Sequence, residues 1–266
     1  MSEFIDVLHS FNCGDLITAM CGLREVSRLK DKKVRIFQRL GFEAHYYDGQ
    51  VNSTVNDSGE SVCMNERLFK MLHPLIMSQD FVESFEIYNG QKIHYNFDLT
   101  RDSKAVAMPS GTIHSWYMTV FPEMNCDPSK TWISGVKTDP AYKDMILVNR
   151  TMRYNNPYIN YFFLKPYEDR VIFCGTPDEY KHFNKEWNLN TTLLVDKDFL
   201  ETATVIKSVK VGLYGQSFAF HLADSLKAKR ILELCTVFPN TFVNGSNGAQ
   251  FYHQSALEYH FKEMMK

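Results

Sequence analysis

The chain has 266 residues, 44% of them hydrophobic and 23% charged, ordinary globular usage that suffices for one large domain or two smaller ones. A formal charge of −2 creates no overall field that would recruit nucleic acid or an anionic membrane. No apolar run approaches the roughly 18 residues needed to cross a bilayer, and the N-terminus carries acids instead of a basic stretch, so a cytoplasmic protein is expected.

The first elements follow at once. FNCGDLITAMCGLREV, from Phe11 to Val26, joins a short apolar run to an amphipathic helix through Asn-Cys-Gly-Asp, and places Asp15 at the handover. Strands are expected over Lys33 to Gln38 and Ala44 to Tyr47, followed by a polar loop, VNSTVNDSGES. ERLFKMLHPLIMSQDFVESFEIYNG suggests two helices and a strand, and GQKIHYNFDL a strand completing a hairpin or sheet edge. TIHSWYMTVFPEM reads as a helix ended by Pro122.

From about residue 140 the chain alternates β-rich runs with helical stretches, the pattern of a parallel sheet covered by helices. MILVNR, RVIFCG, TTLLV, KVGLYG and KRILEL are the expected strands. PDEYKHFNKEW opens with Pro and acids suited to a first helical turn, and DKDFLETATVIKSV puts Phe199, Leu200, Ala203, Ile206 and Val209 on one face. FYHQSALEYHFKEMM is a closing amphipathic helix. The boundary between an N-terminal domain, 1–140, and a C-terminal domain, 141–266, falls near Asp139-Pro140.

In open α/β sheets, ligands collect at the carboxyl ends of strands, where helix N-termini present free N–H groups. Three such places stand out. At the first, Asp15 is suited to capping a helix or to taking a proton from a substrate hydroxyl, with Gly14 permitting close backbone approach. At the second, Arg150 and Arg153 follow the apolar strand MILV; a guanidinium donates two parallel hydrogen bonds to a phosphate, although surface ion pairs account for such residues equally well. At the third, Gly215, Gln216 and Ser217 open a helix with backbone donors for a phosphate. His221, one turn further in, is suited to that site or to a structural role. Glu233, after KRIL, can accept from a ribose or pair with a neighbouring Lys.

The six cysteines, at 13, 21, 63, 126, 174 and 235, stand singly, with no CxxC pair and no Cys/His spacing of a zinc site. Reduced thiols in or near the core are expected, and no metal.

These three motifs, in this order, resemble the GT-B glycosyltransferases, most closely glycosyltransferase family 9, the lipopolysaccharide heptosyltransferase-like group. GDLITAMCGLREV matches the Gly-Asp that opens a helix after the first strand in that family. MILVNRTMRY, VIFCGTPDEYKHF and VGLYGQSFAFHLADSLKAKRILEL match its later half. The resemblance implies an α/β fold of two Rossmann-like domains facing across a cleft. It implies Asp15 as catalytic base, Gly14 as its clearance, Arg150 near the donor phosphates, and Gly215, Gln216 and Ser217 as the phosphate-facing turn. The expected activity is metal-independent, inverting transfer of a sugar from a nucleotide-sugar donor to a carbohydrate or other hydroxyl acceptor, with no further cofactor and no nucleic-acid partner. The alternatives are a catalytically silent nucleotide- or sugar-binding relative, and a nucleotide-sugar epimerase or hydrolase.

Overall fold

The computed structural model describes residues 3–45, 52–102 and 111–266. Its first sheet is built on β1 (Ile5–His9), β2 (Val34–Gln38), β3 (Val82–Ile87) and β4 (Tyr95–Asn96), in the order β3-β2-β1-β4 with every pairing parallel. All five residues of β1 are buried, as a strand covered on both faces must be. Asp6 tolerates that burial because the register sets it opposite Arg35, whose Nε lies 2.6 Å from its carboxylate.

Helix α1 (Cys13–Lys30) follows β1 directly, and α2 (Glu66–Met77) and α3 (Ile113–Val120) complete the helices of this half. The two helices expected between 66 and 79 are one. Pro74 lies in the last turn, where its missing N–H removes a single bond before the helix ends at Met77. Tyr95-Asn96 pairs with β1 in parallel, so GQKIHYNFDL forms a sheet edge and not a hairpin. The Asn96 side chain caps the Asp98 N–H at 3.1 Å and turns the chain into a 3-10 segment, Phe97–Arg101. Ala44 and His45 belong to no strand; an isolated antiparallel bridge, Glu43 to Val62, and the Ala44 N–H donating to Ser61 O at 3.1 Å hold this segment. Tyr46 and Tyr47, the rest of the expected strand, lie outside the described residues.

The second sheet contains β5 (Ile146–Asn149), β6 (Val171–Phe173), β7 (Thr192–Leu193), β8 (Val211–Tyr214), β9 (Arg230–Glu233) and β10 (Gly248–Phe251). The spatial order β10-β9-β8-β5-β6-β7 is all parallel, the doubly wound Rossmann arrangement, with its topological switch between β5 and β8. Helices α4 (Pro177–Trp187), α5 (Phe199–Ser208) and α6 (Phe218–Leu226) connect β6 to β9, and α7 (Gln254–Met265) closes the chain. β10 was not expected, because GAQF offers neither β-branched residues nor alternation.

One hydrophobic cluster runs from the first sheet through α1 into α5, α6 and the facing side of the second sheet. A second cluster covers the opposite side of the second sheet, where Leu257 and Phe261 of α7 are buried. Each fully buried side chain of this size contributes about 1.5–3 kcal/mol over its exposed state. The shared cluster fixes α1 against α6, the contact from which the site is built.

Candidate functional site

The first turn of α1 meets the first turn of α6. Gly14 sits so close that a Cβ added to it lies 2.8 Å from Cδ2 of His221 and 3.4 Å from Cα of Phe218. Glycine is required by this close approach, not by backbone conformation. The Thr18 hydroxyl donates to the Gly14 carbonyl at 2.9 Å and lies 2.9 Å from His221 Nδ1. His221 Nε2 lies near the Thr241 hydroxyl, at 3.5 Å, so the ring is held between two threonines. Burial holds the His221 pKa below its usual value, so the ring is neutral.

A cavity of about 830 Å³ opens where these two helix N-termini converge. It is lined from the segments after β1, β5, β6, β7, β8 and β9, the carboxyl ends of the strands. Two helix dipoles present their positive ends to one space, an arrangement that favours an anion. The Ser217 side chain caps Phe220 N–H at 3.3 Å, and Phe218 and Ala219, which precede the first intrahelical bond of α6, line the cavity.

Asp15 is the third residue of α1 and not its N-cap, a position taken by Asn12. Its side chain is almost wholly buried, lines the cavity and forms an ion pair with Arg101. The 3-10 turn after β4 delivers Arg101, and Trp116 and Phe11 sandwich the guanidinium at 4.4 and 5.0 Å from their ring centroids. Sequence reading did not find Arg101. Its segment carries no motif, and the pairing spans 86 residues.

Of the other expected residues, the structure brings Gly14, Arg153, Gln216, Ser217 and His221 to the cavity wall with Asp15. Arg153 donates to Asn52 Oδ1 at 2.8 Å and so ties the loop after β5 to the first half of the chain. Gln216 donates to Phe238 O and accepts from Cys235 N–H, which makes it a brace for the loop after β9. Gly215 is not among the lining residues, and its N–H is spent on the Asn149 carbonyl at 2.8 Å.

Arg150 and Glu233 are placed against each other instead of in the cavity. Arg150 Nε lies 3.0 Å from Glu233 Oε2, and Glu233 also accepts from Tyr161 Oη at 2.7 Å and Asn156 N–H at 2.6 Å. Both side chains are buried and neither lines the cavity. The partner of Glu233 is thus an arginine 83 residues away, neither a ribose nor a neighbouring lysine.

Three cysteines line the cavity. Burial pushes the thiols of Cys13, Cys63 and Cys174 up to about 12 each, so none supplies a thiolate nucleophile at neutral pH. Among the lining acids, Glu179 is committed to the capping box with Thr176, and Asp196 accepts from Thr202. Tyr154 stands in the left-handed region at φ 59°, unusual for a bulky residue, and stacks on Phe238 with centroids 6.4 Å apart at the cavity wall.

No protein-family model and no curated protein matches the chain. Solved structures do. Heptosyltransferase WaaC of E. coli with ADP superposes with a TM-score of 0.61 at 9% identity, covering 98% of this chain and 99% of that one. ADP-heptose LPS heptosyltransferase II of E. coli gives 0.60 at 9% identity, covering 98% of both chains. A family 9 glycosyltransferase from Veillonella parvula gives 0.50 at 11%, covering 99% of this chain and 89% of that one. At such identities the likeness is one of fold: the chain adopts the GT-B arrangement of two Rossmann-like sheets.

Proposed function

We propose that the protein is a glycosyltransferase that moves a sugar from a nucleotide-sugar donor to an acceptor hydroxyl, with Asp15 as general base. The observation that carries this reading is the position of Asp15. It is a cavity-lining carboxylate paired with Arg101, next to the point where the N-termini of α1 and α6 converge. The GT-B heptosyltransferases of the same fold, one of them bound to ADP, support a nucleotide-sugar as the donor.

In this mechanism the acceptor oxygen forms a bond to the anomeric carbon while the bond from that carbon to the donor phosphate oxygen breaks. The electron pair leaves with the nucleoside diphosphate, and the acceptor proton passes to Asp15. A base of this kind contributes about 10²–10⁴-fold. Arg101 fixes the carboxylate through one oxygen and leaves the other for the acceptor. The diphosphate charge is met by the first turn of α6 and by Arg153, preorganised groups that need no metal. Transfer by this single displacement inverts the anomeric carbon. Tyr154 and Phe238 provide an aromatic wall for the nucleobase.

The test incubates wild type and Asp15→Asn with a panel of nucleotide-sugars, with and without candidate acceptors, and follows thermal stabilisation and release of nucleoside diphosphate by mass spectrometry. Acceptor-dependent release by wild type alone, with both proteins stabilised by the same donor, is the expected result. Stabilisation without release in any acceptor mixture assigns a silent binder, a reading that the engagement of one Asp15 oxygen by Arg101 also allows. Donor consumption without acceptor assigns an epimerase or hydrolase.

A further inference from the structure

Away from the cavity, the fold brings together three metal-ligating side chains that sequence spacing does not connect. Cys21 lies on α1, His114 in the first turn of α3, and Cys126 just after the 3-10 turn Pro122–Met124. One ligand atom from each lies within 4.8 Å of the others. None of the three lines the cavity.

Their approach is built into the packing. A Cβ at Gly22 would fall 2.7–2.8 Å from Met124, so the glycine lets the 122–124 turn lie directly on α1 and brings Cys126 beside Cys21. A capping box between Thr112 and Ser115 fixes the first turn of α3. The His114 ring stands edge-on to Trp132 at 5.1 Å, and Trp132 Nε1 donates to Ile17 O of α1 at 2.8 Å. Three separate elements therefore converge, each with a local reason for its orientation.

We propose that Cys21, His114 and Cys126 form a zinc site. Tetrahedral zinc, with Zn–S distances of about 2.3 Å and Zn–N distances of about 2.0–2.1 Å, sets its ligand atoms about 3.5–3.8 Å apart, so the three ligand atoms here, all within 4.8 Å of one another, have to close by on the order of an ångström at most. Two thiolates balance the dication, and the thiolate-imidazole set selects zinc over hard cations such as magnesium or calcium. The neighbouring ammonium of Lys227 is held by the carbonyls of Pro128 at 2.6 Å and Asn244 at 3.0 Å. Three protein ligands leave a fourth position for water. The metal clips α1, which carries Asp15, to α3, whose Trp116 packs on Arg101.

The test uses the full chain, purified under reducing conditions and stripped by chelator, then titrated with Zn²⁺ and separately with Co²⁺. Wild type is expected to retain about one metal per chain after desalting. It should show the thiolate charge-transfer absorption of tetrahedral cobalt, protect two thiols from a thiol reagent, and melt several degrees higher when loaded. Cys126→Ser and His114→Gln should lose metal retention, and Cys235→Ser should keep it. If a variant fails to fold, chelation and reloading of wild type still read the same signals. Absence of retained metal in reduced wild type overturns the proposal, as does equal retention by folded Cys126→Ser. A Cys21–Cys126 disulfide together with no metal binding by the reduced chain overturns it too.

Discussion

Gly14 and His221, on different halves of the chain, lie so close that a single added carbon at position 14 falls 2.8 Å from the imidazole Cδ2. This contact fixes where α1 and α6 start relative to each other, and hence where Asp15 stands beside the first turn of α6. Gly14→Ala is expected to cost about 1–3 kcal/mol, the range for overpacking a closely fitted site. A double-mutant cycle with His221→Ala, measured by denaturant unfolding, should show non-additivity, because removing the ring relieves the clash. Additive losses would mean that the backbone absorbs the extra carbon elsewhere.

The Asp15–Arg101 ion pair separates proton transfer from orientation. Asp15→Asn should lower nucleoside diphosphate release by about 10²–10⁴-fold with donor binding retained. Arg101→Lys keeps the charge but loses the planar stacking on Trp116 and Phe11, and should lower turnover by up to about a hundredfold through misplacement of the carboxylate. Steady-state kinetics distinguish the two, since a change confined to KM in both variants would move Asp15 from chemistry to binding.

Arg150 and Glu233 are expected to act on stability. Arg150→Met leaves Glu233 buried without its cation, which costs about 3–5 kcal/mol and lowers Tm on the order of 10 °C. Below that Tm, the folded variant should bind the donor with unchanged Kd. A loss of affinity in excess of the loss of folded protein would return Arg150 to the phosphate site.

Two buried histidines make stability depend on acidity. Burial is the largest effect on both His9 and His221, and it lowers each pKa from the ordinary 6.5. Between pH 6.5 and the lower native values the unfolded chain binds more protons, so unfolding is favoured as pH falls. Urea midpoints should be flat in this respect above about 6.5 and decline below it, and replacing either histidine by a neutral isostere should reduce the slope. A midpoint that rises on acidification would contradict this.

Much of the fold was legible because its causes are local. A strand such as ILVN, buried on both faces, is apolar throughout, and TPDE at a helix start carries its cap, proline and acids within four residues. Such signals located β5, β6, β8 and β9, the helices between them, and Asp15 in the first turn of the helix after β1. β10 was missed because GAQF carries no β-branched residue, and only Phe251 of its four residues is buried. Of the strand expected from Ala44 to Tyr47, the described residues Ala44 and His45 join no sheet.

Sequence by itself thus determined the alternation that makes the second parallel sheet, and three places after strands where chemistry can collect. Tertiary structure alone decided which of those residues meet. It joined Asp15 to Arg101 across 86 residues, withdrew Arg150 into a buried pair with Glu233, and assembled Cys21, His114 and Cys126 from three elements. The physical reason is that hydrogen-bonding and burial patterns recur within a few residues, whereas the partner of a charge or thiol is chosen by helix packing, which depends on side chains distant in the chain.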